Sequence, residues 1–262
     1  MTVNERKLRE SEFHNRRFEA ETEPREALGT VYRLMLPANM HYHAIVESYR
    51  DGGRVLEYGC GNGTNTLVFA RRGVAITGID ISESGVTHAR AQAARVGLDT
   101  EFEVMDAENL RFEDGSFAAV AGKGILHHLD IEKAYGEIAR VLTPDGRAVF
   151  IEPLGHNPLI NWFRRCTPEA RTPDERPLLI ADLEKARSHF RTTEFTFFNL
   201  TTLCAVPFRS EKTFATVYSL CEKFDSWLFR TSPWIARYSW MVFMDMRHPI
   251  RSTGIQSARC TS

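Results

Sequence analysis

The run Val55-Leu56-Glu57-Tyr58-Gly59-Cys60-Gly61-Asn62-Gly63-Thr64 constrains this chain more than any other stretch. A short apolar segment ends in an acid and then in three glycines at alternate positions, which reads as strand, tight turn and helix. Glycine lets the backbone turn sharply and approach a ligand closely, and the opening turn of the next helix offers unpaired amides. A polar ligand is therefore expected here. A dinucleotide fingerprint requires Gly-x-Gly-x-x-Gly, whereas here the third glycine comes one residue early and Thr64 takes its place.

From Arg54 onward strand and helix patterns alternate. Thr64 to Arg72 reads as a helix ended by Gly73, and Val74 to Ile79 as a buried strand. Ser82 caps a helix with Val86, Ala89, Ala93 and Val96 on one face. A third strand is expected at Glu101 to Met105 and a fourth at Phe117 to Ala121. Ile131, Ala134, Tyr135, Ile138, Ala139 and Leu142 form one helical stripe stopped by Pro144, and Arg147 to Ile151 is a fifth strand. This alternation predicts an α/β fold, a Rossmann-like, doubly wound and mostly parallel sheet. Two or three helices are expected before it, broken at Pro24 and Pro37, carrying Phe13, His14, Tyr32, Tyr42 and His43 as packing or ligand-facing rings. After Glu152-Pro153, prolines at 158, 168, 173 and 177 mark a long irregular segment. Then follow a helix at about 178 to 189, a strand at 193 to 199, helices between 210 and 236, and a last strand within Tyr238 to Met246.

Composition narrows the function. The 262 residues are 43% hydrophobic and carry a formal net charge of -1, without a long basic run, so nothing marks a nucleic-acid surface. Cys60, Cys166, Cys204, Cys221 and Cys260 are scattered, without zinc-like or redox spacing, which suits a reducing cytoplasm and implies no metal. No apolar stretch is long enough to span a bilayer, and no signal core opens the chain.

Three acids, Glu57, Asp80 and Asp106, fall at or just beyond the ends of the first three strands, where open parallel sheets bind ligands. Asp80 lies about 20 residues past the glycines, the place of a ribose-binding acid in Rossmann-like sites, although an acid there can also cap the helix starting near Ser82. Asp106, in Met105-Asp106-Ala107-Glu108, reads alternatively as a solvated loop acid.

These motifs, continued by Phe117-Ala118-Ala119-Val120, by Gly124-Ile125-Leu126-His127-His128-Leu129 and by Arg140-Val141-Leu142-Thr143-Pro144-Asp145-Gly146-Arg147, resemble in order those of the class I S-adenosylmethionine (SAM) dependent methyltransferases. The resemblance covers about residues 53 to 152 and is closest to the type 11-like branch, which methylates small metabolites. Two scaffold positions depart from the pattern, Ala118 for the common Asp and Asp145 for the first glycine of the usual Pro-Gly-Gly turn. No Asn-Pro-Pro-Tyr type motif of nucleic acid methyltransferases follows the fourth strand.

The resemblance implies SAM as cofactor. Glu57 would face its amino acid end, with Gly59, Cys60, Gly61 and Asn62 forming the turn against it. Asp80 would hold the ribose with Ile81 packing on adenine, and Asp106 would meet the adenine amino group beside Ala107 and Glu108. Gly122 and Lys123 would complete the wall at the fourth strand. Methyl transfer is an in-line displacement, so alignment and exclusion of water supply much of the acceleration. Acceptors that lose a proton need a base, for which an imidazole is suited. His127 is the first candidate, with His128 expected to point elsewhere and His156 the runner-up. All three are also explained by capping and hydrogen bonding within loops. Arg164, Arg165 and the run from Arg171 to Arg176 could hold an acidic acceptor or be solvated.

The expected organisation is a helical cap at 1–50, a SAM-binding core at 51–155, an acceptor-enclosing segment at 156–249 that completes the sheet with an antiparallel strand, and a mobile tail at 250–262. The aromatics Trp162, Phe163, Phe208, Trp227 and Trp234, with Phe195, Phe197 and Phe198, are expected to line an apolar pocket or to be core, so the acceptor is expected to be a small, partly hydrophobic metabolite methylated at O, C or N. Two rival readings remain: a SAM-binding protein with a changed reaction or a noncatalytic partner role, and an NAD-dependent oxidoreductase, which the glycine spacing disfavours.

Overall fold

The computed structural model describes residues 3–19, 33–167 and 175–251. Tyr32, Pro168, Pro173, the stretch 171–174 and all of the expected tail beyond residue 251 lie outside the described residues. Two helices, α1 (Val3–Glu19) and α2 (Leu36–Glu47), precede the alternating elements β1 (Val55–Tyr58), α3 (Thr64–Arg71), β2 (Ile76–Asp80), α4 (Glu83–Arg95), β3 (Glu101–Val104), β4 (Phe117–Lys123), α5 (Ile131–Val141) and β5 (Leu142–Pro153). There follow α6 (Pro158–Cys166), α7 (Ile180–Lys185), β6 (Phe190–Phe198), α8 (Glu211–Thr231) and β7 (Met241–Pro249).

The seven strands form one sheet in the order β3-β2-β1-β4-β5-β7-β6. β1 to β5 pair in parallel, and β7 inserts antiparallel between β5 and β6. From β1 the chain winds outward through β2 and β3, then crosses to β4 on β1's other side. That reversal opens a crevice at the carboxyl ends of β1 and β4.

Both faces of the sheet are covered, so its strands are apolar on both sides. Leu56, Val120 and Phe150 pack with α5 in one cluster, while their alternate neighbours Val55, Ala119, Val149 and Ile151 pack under α2 in another. The α5 stripe is buried as its spacing predicts, but the helix gives way directly to β5 at Leu142, five residues before the expected strand.

Two local expectations are corrected. Val96 is 37% exposed rather than on the buried face of α4, because the helix ends at Arg95 and the chain turns at Gly97. Residues 158–166 are helical, not irregular: Asn157 Oδ1 accepts from the amides of Leu159 (3.0 Å) and Ile160 (3.1 Å), and Pro158 at the first turn has no amide to lose. No helix among the described residues is long and apolar enough to cross a membrane.

The third glycine of the turn serves packing. Gly63 caps α3 at φ +79°, and a β-carbon there would meet Ala89 Cβ at 2.7 Å and Phe102 Cε1 at 2.9 Å. Gly63→Ala combines left-handed strain with overpacking against α4 and β3, and urea unfolding should show a loss of about 2 kcal/mol or more. An unchanged midpoint would mean that these three elements do not meet as described.

Candidate active site

A cavity of about 750 Å³ opens at the carboxyl ends of β1, β2 and β4 and is roofed by α1. Of the expected cofactor residues, ten lie on its wall: Gly59, Cys60, Gly61 and Asn62 from the turn, Asp80 and Ile81 after β2, Asp106, Ala107 and Glu108 after β3, and Lys123 at the end of β4. Two expected residues do not. Gly122 is beneath the wall, where a β-carbon would strike Phe150 Cε1 at 2.6 Å and Tyr58 O at 2.8 Å, so its role is close packing. Glu57 is buried behind the turn.

The turn is held by β2. Ile79 O accepts from the amides of Gly59 (2.9 Å) and Cys60 (2.8 Å), and Asp80 Oδ2 accepts from the amide of Gly61 (2.8 Å). Asp80 Oδ1 accepts from the amide of Ser82 at 2.9 Å. The helix cap is Ser82 itself, whose Oγ accepts from the amide of Gly85, so Asp80 is not spent on capping. Each carboxylate oxygen can accept a further hydrogen bond.

Glu57 is 2% exposed, and Thr66 Oγ1 donates to its Oε2. Burial pushes its pKa up to about 7, against the opposing pull of the Thr66 hydroxyl and the Lys123 ammonium. Lys123 Nζ in turn donates to Asn65 Oδ1 (2.9 Å) and Asn39 Oδ1 (3.4 Å), which joins α2 and α3 to the cavity floor.

On the opposite side α1 brings residues that its own sequence did not mark. Lys7 Nζ donates to Asp106 Oδ2 at 2.5 Å and lies 3.1 Å from Glu108 Oε2, while Arg6 pairs with Glu108 Oε1 and donates to His128 O. Burial opposes charge on Glu108, but the Asp130 amide and these two cations outweigh it and hold its pKa below the usual carboxylate value. Asp106 is therefore not a solvated loop acid.

The histidines are placed otherwise than expected. His128 is on the cavity wall, its Nδ1 3.2 Å from Glu10 Oε2 of α1. His127 is turned behind the wall, with Nδ1 2.7 Å from Glu152 Oε2 and Nε2 3.8 Å from Glu175 Oε1. Glu152, at the end of β5, is fully buried, and its Oε1 accepts from the amides of Ile125 and Leu126, each at 2.9 Å. Gly124 lines the cavity, and a β-carbon there would come 3.7 Å from His127 Cε1, so the imidazole stands directly behind it. His156 is outside this cavity and accepts from the amide of Ile180 at 3.2 Å. Burial, assisted by Arg237, lowers its pKa. Arg164 is not a solvated loop charge, since it sits on α6 and donates to Glu175 at 2.7 Å.

Sequence spacing gave no sign of the clusters Glu10–His14–His128 and His127–His128–Glu175, whose ligand atoms converge within 4.8 Å. The expected aromatic pocket is also revised. Trp162, Phe163, Phe208, Trp227 and Trp234 are exposed and away from the cavity. Phe195 and Phe197 pack against one core cluster and Phe198 against the other. The apolar part of the wall comes instead from aliphatic side chains, with Met35, Ile151 and Met241 beside others such as Ile79, Met105, Ile125 and Leu129.

Comparison with known proteins gives this geometry a context. A family model described as a methyltransferase domain matches residues 55–146. The chain is 34% identical over 145 residues to a phosphatidylethanolamine N-methyltransferase of Cereibacter sphaeroides, covering 54% of this chain and 62% of that protein. It is 36% identical over 109 residues to an S-adenosyl-L-methionine-dependent Diels-Alderase of Talaromyces variabilis, covering 38% of this chain and 36% of that one. It thus spans less than two thirds of the length of either relative. Among solved structures, the phosphoethanolamine N-methyltransferase 2 of Haemonchus contortus superposes with a TM-score of 0.55 at 21% identity, over 79% of this chain and 52% of the other, which shows a shared fold.

The Glu10–His128 pair ties the roof to the wall and is open to titration. Burial opposes charge on His128, but hydrogen bonding to Glu10 and its charge outweigh that and raise the pKa above 6.5. The pair's stabilisation is full below the unfolded value and is lost as pH rises through the folded one. Imidazole NMR should show His128 titrating above the ordinary range and Glu10→Gln bringing it down. A His128 titration indifferent to Glu10 would mean that α1 does not pack on this wall.

Proposed function

We propose that this chain, whose residues 55–146 belong to the class I SAM-dependent methyltransferases, binds SAM in the cavity and transfers its methyl group to a small, partly hydrophobic acceptor. The observation that carries the reading is the convergence of the glycine turn, Asp80 and Asp106 on one cavity. Bound SAM supplies an electrophilic methyl group. Glu57 and Lys123 set the charge beneath the amino acid end, Asp80 offers a carboxylate to the ribose diol with Ile81 beside adenine, and Asp106 offers one to the adenine amino group while Lys7 balances it. Met35, Ile151 and Met241 form the apolar surface for the acceptor and exclude water near the methyl group. We keep within this reading the limits expected from the sequence at 1–50, 51–155 and 156–249, and a reducing cytoplasm, which the free Cys60, Cys166, Cys204 and Cys221 among the described residues suit.

For acceptors that lose a proton, the imidazole on the cavity wall, His128, is the base, since His127 stands behind Gly124 with its ring nitrogens facing Glu152 and Glu175. Glu10, at Nδ1 of His128, orients it as a third group orients a base and also secures α1. A second reading, a SAM-binding protein with a changed reaction, is favoured by the similarity to a SAM-dependent Diels-Alderase. Transfer of label from methyl-labelled SAM into a product supports the first reading, and conversion of an acceptor without incorporation supports the second.

Glu57 provides a pH test. Its pKa of about 7 means that below neutrality the acid is protonated. A cationic amino acid end favours the ionised form, so SAM affinity should rise with pH through 7 and fall up to about tenfold per pH unit below it. Glu57→Gln should flatten that profile and weaken SAM. Because the folded pKa exceeds the unfolded 4.5, the acid's favourable contribution is lost as pH rises from 4.5 through 7. The ligand-free Gln variant should therefore be more stable than the parent at about pH 8, by an order of ~2 kcal/mol. A Gln variant with unaltered SAM affinity would remove Glu57 from the site.

His128→Ala should lower turnover by about a hundredfold or more. Turnover retained there and lost in His127→Ala would return the role to the histidine behind the wall, the first candidate of the sequence.

A further inference from the structure

Three of the four tryptophans are largely exposed: Trp162 at 58%, Trp227 at 55% and Trp234 at 60%. They belong to three segments joined to one another, α6, the C-terminal half of α8 and the short helix Pro233–Tyr238. Asn157 Oδ1 caps α6 while its Nδ2 donates to Tyr238 O at 2.7 Å, and the short helix starts at Ser232, directly after α8. Phe224 stacks on Trp227 with ring centroids 5.6 Å apart, and Trp234 meets Tyr238 edge-on at 6.5 Å. Leu159, Phe163 and Leu220 add further exposed apolar area. Such a concentration on the surface of one chain marks an interaction face.

The charges indicate the partner. Over residues 157–167 and 207–238 there are seven lysines and arginines against three acids, although the whole chain has a net charge of -1. Among these, Arg164 is paired with Glu175 and Glu211 with Arg33, and Asp225 is buried against the amides of Leu200 and Thr201, which leaves six cations against Glu222. Arg165, Arg230 and Arg237 are exposed among the aromatics. Tryptophan with arginine and leucine is the composition that settles at a bilayer interface, rings at headgroup depth and cations on anionic headgroups. A second copy would bring a basic face against itself.

The face borders the acceptor side of the cavity. α6 follows β5, whose Ile151 lines the cavity, and the short helix leads into β7, whose first residue Met241 lines it too. Leu154 donates its amide to Trp240 O at 2.8 Å, which locks the two connections together.

We propose that the face formed by α6, the end of α8 and Pro233–Tyr238 seats the protein on an anionic lipid surface, so that the acceptor reaches the cavity from the bilayer. The second part of that statement rests on the methyl-transfer reading; the first does not. The test is cosedimentation of the full chain with phosphatidylcholine vesicles, with and without phosphatidylglycerol, alongside tryptophan fluorescence. Binding is expected to the anionic vesicles, to weaken with salt, and to fall about tenfold or more in the Trp162→Ser, Trp227→Ser, Trp234→Ser triple variant. Wild-type protein that stays in the supernatant would overturn the proposal, as would equal binding to both vesicle types. Light scattering showing a dimer dissolved by the same substitutions, with no vesicle binding, would assign the face to a second copy and also overturn it. SAM affinity measured in the triple variant is expected to be unchanged, which shows that it folds. Failure of the wild type to bind SAM would count against the methyl-transfer reading and leave the vesicle result standing.

Discussion

The candidate site depends on how β2 holds the turn that follows β1. Ile79 O and the Asp80 carboxylate together accept three amides of the glycine turn, so the loop is fixed before any ligand arrives. The parallel pairing of β1 with β2 and β4 then sets where the turn stands relative to Asp80 and Lys123. Because Asp80 both anchors the turn and faces the cavity, a change there alters the shape of the site as well as its charge.

Around that anchor the charges are arranged in opposed pairs. Glu57 is deeply buried beside Lys123, and its ionisation is costly until a second cation arrives. Glu108 is held ionised by Arg6 and Lys7, and Lys7 also reaches Asp106. The two ends of the cavity therefore differ: one acid lies near neutrality beneath the glycine turn, and an acidic pair already neutralised lies under α1. Since α1 supplies those cations and Glu10, the roof of the cavity and the charge balance of this end come from the same helix.

The parts legible in the sequence are those whose signal is local. The glycine turn, Ser82 and the acids after β2 and β3 are fixed by strand, turn and helix patterns within a few residues of one another. Arg6, Lys7 and Glu10 were missed because their partners lie about a hundred residues away and nothing in an amphipathic helix reveals which neighbour its charges will meet. The histidines were misplaced for a different reason. They fall in a short 3-10 turn, Leu126–His128, with their rings side by side at 4.1 Å between centroids, so spacing alone does not separate the one on the wall from the one behind it. Aromatic content likewise does not separate a pocket from a surface: Phe197 packs against the core while Trp162 is exposed. The helix at Pro158 was obscured because proline was read as a breaker when, after Asn157, it opens a turn.

The central claim is that the turn, Asp80 and Asp106 form a SAM site. Calorimetric titration of the intact chain with SAM, with its demethylated product and with NADH tests it most directly. Saturable binding of both sulfur ligands, weakened by Asp80→Ala and with no response to NADH, is the predicted result. Tight binding of NADH with neither sulfur ligand bound would contradict it.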